Sequence, residues 1–103
     1  MKFLMEIRIP TEMGNKKLMD GSFMKAMPAI IGEIKPESVH YGVKKGKRTI
    51  FMVVDMASGE KLPGKIEPLW HDFMADVYLT PVMDSVEFSK AGAAIQKVID
   101  VRK

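Results

Sequence analysis

The chain contains no cysteine. That absence excludes disulfide staples, thiolate zinc sites, iron–sulfur clusters and a cysteine nucleophile together. Aromatic residues are sparse, with one Trp, two Tyr and five Phe, and the only imidazoles are His40 and His71. No apolar run approaches the ~20 residues that a membrane span requires. Glu6 and Arg8 interrupt the opening apolar stretch too early for a signal peptide. No Gly-x-Gly-x-x-Gly, phosphate loop or Gly-x-Ser-x-Gly elbow is present. Charge is nearly balanced, 16 basic against 13 acidic residues for a net +3, which gives little long-range pull toward nucleic acid. These absences lead us to expect a cytoplasmic chain with no nucleic-acid partner, no membrane partner, no metal and no cofactor.

What remains is an ordinary globular composition, 47% hydrophobic and 28% charged over 103 residues. A chain this long buries roughly two-thirds of its unfolded surface. We therefore expect one domain spanning residues 1–103.

Residues 2–10 alternate strictly, Phe3, Met5, Ile7 and Ile9 on one face and Leu4, Glu6 and Arg8 on the other. This predicts a strand that Pro10 ends. Apolar positions at Met19, Phe23, Ala26, Met27, Ile30, Ile31 and Ile34 then predict one bent helix over 15–34, capped by Asn15 and kinked at Pro28. Residues 38–44 alternate again. Lys44-Lys45-Gly46-Lys47-Arg48 predicts a tight turn.

Residues 49–56 lose the alternation and are apolar on both faces, the mark of a strand shielded above and below. A second helix, capped by Ser58, follows with the stripe Leu62, Ile66, Leu69, Trp70 and Phe73. A strand over 76–82 is demoted to a sheet edge by Pro81. A third helix begins at Asp84 or Ser85 with Phe88, Ala91, Ile95, Val98 and Ile99 along one side.

The order βαββαβ with an appended helix, together with right-handed crossovers, predicts an α+β ferredoxin-like fold. Its four-stranded antiparallel sheet has spatial order 4-1-3-2. Both helices cover one face. The other face carries Leu4, Glu6, Arg8, His40, Phe51, Val53, Tyr78, Thr80 and Val82, too apolar a set to leave wet. A second copy, sheet against sheet about a two-fold axis, is the expected cover. Glu6 and Arg8 are expected to pair along the strand or across the dimer.

The opening Met-Lys-Phe-Leu, this order of elements, and Val77-Tyr78-Leu79-Thr80-Pro81-Val82-Met83-Asp84 before the last helix resemble small bacterial dimeric α/β-barrel proteins of a domain-of-unknown-function family. The resemblance spans nearly the whole chain and its motifs are structural. It implies a homodimer. Relatives in that superfamily include cofactor-free monooxygenases, muconolactone-type isomerases, haem-binding peroxidases and stress-response proteins, and a shared fold does not choose among them.

Two groups of residues are candidate sites. Phe23, Met27, Trp70 and Phe73 are expected to converge between helices and sheet, with Tyr41 beside them, where the resemblance places a cleft for an apolar or aromatic ligand. The plainer reading of the same residues is core, with the pocket second. His40, with Arg8, Tyr41 or Tyr78 orienting a substrate, is a candidate general base for a cofactor-free isomerase or monooxygenase. The plainer reading is a hydrogen-bonded interfacial histidine. A purely structural or regulatory dimer is the third reading. His71 is expected to face solvent. The Lys44–Arg48 run reads as a solvated turn, and methionines such as Met5, Met19, Met27 and Met52 as core.

Overall fold

A computed structural model describes all 103 residues. Strand β1 (Lys2–Arg8) is followed by helices α1 (Thr11–Met19) and α2 (Ser22–Ile34), then strands β2 (Ser38–Lys44) and β3 (Lys47–Asp55). A 3-10 turn at Gly59–Lys61 leads into α3 (Leu62–Phe73), strand β4 (Asp76–Val82) and helix α4 (Ser85–Arg102). The sheet is fully antiparallel in the order β2-β3-β1-β4. This is the ferredoxin-like arrangement expected from the sequence, with the predicted order read from the opposite edge.

Period-two alternation sorts the side chains as anticipated. Phe3, Met5 and Ile7 stand opposite Val54, Met52 and Ile50 on the helix-covered face. Met5, Ile7, Ile50, Met52 and Val54 are all at most 3% exposed. Burying each aliphatic or thioether side chain contributes about 1.5–3 kcal/mol, so this double row anchors the fold. Ile9 continues the ladder beyond β1, its N–H donating to the Arg48 carbonyl at 3.0 Å.

The single bent helix expected over 15–34 is two helices. The chain breaks at Asp20-Gly21, where Gly21 takes a left-handed φ of 80° and the Asp20 carboxylate accepts the Ser22 N–H at 2.8 Å. That side-chain bond starts α2 afresh, a local alternative to continuing α1. Asn15 therefore lies inside α1 rather than capping it, and its Oδ1 accepts from Arg48 Nη2 at 2.9 Å. Gly14 is buried beneath the flexible Arg48 side chain, whose Nη1 would lie 2.8 Å from a Cβ added there. Met19, expected in the core, ends α1 at 89% exposure. Ser58 makes no capping bond to the second predicted helix, whose first turn is instead 3-10.

The β2–β3 turn places both Lys45 (φ 51°) and Gly46 (φ 78°) in the left-handed region, the backbone of a two-residue hairpin whose twist matches its strands. Asp84 caps α4 as expected, its Oδ1 accepting the Glu87 N–H at 2.8 Å.

Helix α4 stands apart. None of its residues is buried, and only Glu87 and Ala91 are even partly covered. The molecule measures 60 × 28 × 19 Å, with a radius of gyration of 17.2 Å and an exposed surface of 7093 Å2. A compact chain of this size has a radius of gyration of about 13 Å and exposes about 5,800 Å2. No helix is long and apolar enough to cross a membrane.

Candidate functional site

The sheet face turned away from the helices gathers one group of candidates. Register places His40, Phe51, Glu6 and Tyr78 side by side in a single row across the four strands. Arg8 lies one row further along, its guanidinium 4.5 Å from the centroid of the Tyr78 ring. Arg8 Nε is buried without a hydrogen-bond partner. Glu6 is only 7% exposed and accepts a hydrogen bond from Lys44 Nζ at 2.5 Å. The expected Glu6–Arg8 pairing within the chain is thus replaced by a Glu6–Lys44 pairing across β3.

Of the proposed catalytic residues, His40, Arg8 and Tyr78 share this face and Tyr41 does not. Tyr41 pairs with Ile50 in register, which turns its side chain to the helix side, where it is 60% exposed. Adjacent strand residues point to opposite faces, so His40 and Tyr41 cannot serve one pocket. His40 itself is exposed on the edge strand. Glu6 stands two strands from it, about 10 Å, and is already held by Lys44.

The aromatic group divides as well. Phe23 and Phe73 meet edge to face, centroids 5.7 Å apart and planes at 83°, and Met27 is buried in the same core cluster. Lys17 Nζ lies 5.1 Å from the Phe73 ring centroid. Trp70 does not join them. It is 46% exposed, because a helix turns about 100° per residue and Leu69 takes the inward position.

A groove of about 420 Å3 opens instead between α2 and α3. Ala26, Ala29 and Ile30 form one wall, and Gly64, Lys65 and Pro68 form the other. Ile34, Leu69 and Phe73 also line it, and Glu33 and Asp72 add carboxylates. Lys65 Nζ reaches across from α3 to the Glu33 and Ile34 carbonyls, both at 3.2 Å. A cation there favours the negative end of α2 and ties the two helices together at one end of the groove. Of the four residues expected to form a pocket, only Phe73 lines this one. Sequence reasoning missed the groove, although its signal was present: small residues at 26, 29 and 64 leave the space between the two helices unfilled.

The basic turn is partly committed inside the molecule, Lys44 to Glu6 and Arg48 to Asn15. His71 Nε2 lies 2.8 Å from Glu67 Oε2 one helical turn earlier, in an exposed pair. Comparison of the chain with family models, curated proteins and solved structures finds no match in any of the three.

Proposed function

We propose that the chain is a small homodimeric binding protein of the dimeric α/β-barrel kind, which holds a small apolar or aromatic molecule between its helices and over its sheet. The observation that carries this reading is the groove between α2 and α3. Its volume lies within the range of small-molecule sites, about 300–1,000 Å3, and Ile30, Ile34, Leu69 and Phe73 supply an apolar lining. Lys65, Glu33 and Asp72 are the polar groups that would orient a ligand at its rim. Dimerisation through the outer sheet face is supported by Leu4, Phe51 and Val53, apolar side chains left half-buried there.

A thermal-shift screen with ring compounds such as benzoate and indole tests the reading. A ligand at 100 times its dissociation constant stabilises by about 2.7 kcal/mol, worth roughly 10 °C or more in a domain this small. Ala29→Trp, which fills the groove from an exposed helix position, should abolish the shift and leave the unliganded protein folded. If every compound fails, or if the shift survives Ala29→Trp, the groove is not a binding site.

A second reading is supported by the row on the outer sheet face. His40, Tyr78 and Arg8 share a surface, and Arg8 Nε lacks an acceptor. A partner chain that enclosed this surface would give a cofactor-free isomerase or monooxygenase its general base in His40. Under that reading His40→Ala removes turnover and leaves ligand-induced stabilisation intact. Loss of stabilisation alone would instead mark His40 as a binding residue.

A further inference from the structure

We propose that α4 is an exchanged arm, packing its apolar stripe on β2 of a second copy of the chain, over Tyr41 and Val43. This inference rests on the homodimer proposed above and names what each copy contributes beyond the sheet face. Phe88, Ala91, Ile95, Val98 and Ile99 fall on one arc of α4 about 100° wide; Glu87, Lys90, Lys97 and Asp100 fall outside it, and Arg102 joins it only in the last turn. Phe88 is 56% exposed, Val98 52%, Ile99 44% and Ile95 42%. An amphipathic stripe without a cover is the least stable arrangement a helix of this pattern can adopt.

Its own chain does not supply the cover. The exit from β4 is fixed by Asp84, whose Oδ1 caps the helix while its Oδ2 lies 3.3 Å from Lys2 Nζ. The Phe88 N–H donates to the Asp84 carbonyl at 2.9 Å. From there 18 residues carry the helix about 27 Å, and the 60 Å length of the molecule reflects that reach.

Area points to a second copy. The chain exposes 7093 Å2, about 1,250 Å2 more than a compact chain of its mass. Two copies that buried this excess would share about 2,500 Å2, the size of an obligate homodimer interface. The sheet face is one part of it, with four strands of about seven residues presenting a flat footprint of about 440 Å2, and α4 is the other.

The acceptor is found where the helix layer stops short. In one row of the sheet Ile7 and Ile50 are 1% and 3% exposed, but Tyr41 at the edge is 60% exposed and Val43 beyond it 76%. Each chain thus carries one uncovered apolar stripe and one uncovered apolar strip. A two-fold axis satisfies both at once. A lipid surface fits less well, since α4 has no Trp and carries Glu87 and Asp100 among its charges.

The absence of native cysteine makes the test direct. Full-length Ile95→Cys and Val43→Cys are refolded as an equimolar mixture and oxidised. The expected product is a mixed disulfide of twice the chain mass, containing one copy of each variant. The double variant should likewise give covalent dimers. An intrachain disulfide at monomer mass overturns the proposal, as does an Ile95→Cys bond to itself that replaces the mixed band. Binding of the native chain to phosphatidylglycerol vesicles without a mixed band assigns α4 to a membrane and also overturns it. Light scattering separates the two levels. A native dimer with no mixed band defeats the exchange and spares the dimer, whereas a native monomer defeats both. Ile95→Asp, at an already solvated position, should weaken dimerisation about tenfold or more.

Discussion

Glu6 and Lys44 meet across a strand to which neither belongs. The carboxylate rises from central β1 and the ammonium from edge β2, and they join over β3 at 2.5 Å. Glu6 is almost enclosed, whereas the Lys44 side chain is 45% exposed. Removing the lysine strands a charge in a poorly solvated place. Lys44→Met should cost about 1–2 kcal/mol, a buried-acceptor penalty moderated by the solvent still reaching the site. The double variant Glu6→Leu, Lys44→Met should recover most of that loss, because an apolar pair suits this face. Urea midpoints at fixed protein concentration decide it, and additive losses would deny the coupling.

A second prediction concerns pH. The Glu87 backbone N–H, seconded by Lys2, holds the Asp84 carboxyl below the usual carboxylate range. Its contribution is therefore complete above about pH 4 and is lost as pH falls through the lower, folded-state value. Lys2, between Glu37 at 3.1 Å and Asp84 at 3.3 Å, is raised by both. Its contribution is complete below about pH 10 and is lost as pH rises through its raised value. The circular dichroism of α4 should be flat between these limits and fall below pH 4. Asp84→Asn should keep the helix, since Asn also caps, but lose the dependence on Lys2. Asp84→Ala should lose both.

Backbone strain offers a pair of substitutions with opposite signs. Met74 ends α3 in the left-handed region at φ 52°, a conformation that costs a residue with a Cβ about 1–2 kcal/mol. Met74→Gly should raise stability by about 1 kcal/mol. Gly21 has φ 80°, and no atom lies within 4 Å of the place a Cβ would occupy there. Gly21→Ala should therefore lose about 1 kcal/mol through the backbone alone. Equal and same-signed changes in melting temperature would remove this explanation.

Phe23 and Phe73 form a core contact whose loss should be expensive. Phe23→Ala should cost about 3–5 kcal/mol as a cavity opens. A cycle with Phe73→Leu should show coupling of about 0.5–1.5 kcal/mol from the edge-to-face pair. If Phe23→Ala were neutral, the ring would not be part of the packed interior.

The strands were legible because side-chain alternation is a local property. Residues 76–82 could be bounded to the residue, and the doubly apolar β3 identified the centre of the sheet. Helix breaks were less legible, because Met19 falls in phase with the stripe from Phe23 to Ile34 in the sequence, although the break at Gly21 leaves it 89% exposed. Tyr41 lies on the helix side as its alternation predicts, and that same alternation separates it from His40. Trp70 was harder to place, because one 100° step from buried Leu69 carries it to the margin of the stripe, where it is 46% exposed. The Glu6–Lys44 contact depends on a diagonal across three strands, which no sequence spacing encodes. The groove arises from what small side chains leave unfilled, a signal easily mistaken for weak packing.

The tight turn at Lys45-Gly46 bears on the order of assembly. A two-residue reversal lets β2 and β3 zip within microseconds, since their partners are close in sequence. Strand β1 must find β3 about fifty residues downstream and β4 some seventy-five downstream, and such distant closures come late. Pulse-labelled exchange should therefore find amides of residues 47–55 protected before those of residues 2–8. The outermost hairpin would be the nucleus, and the middle strand the keystone set in last.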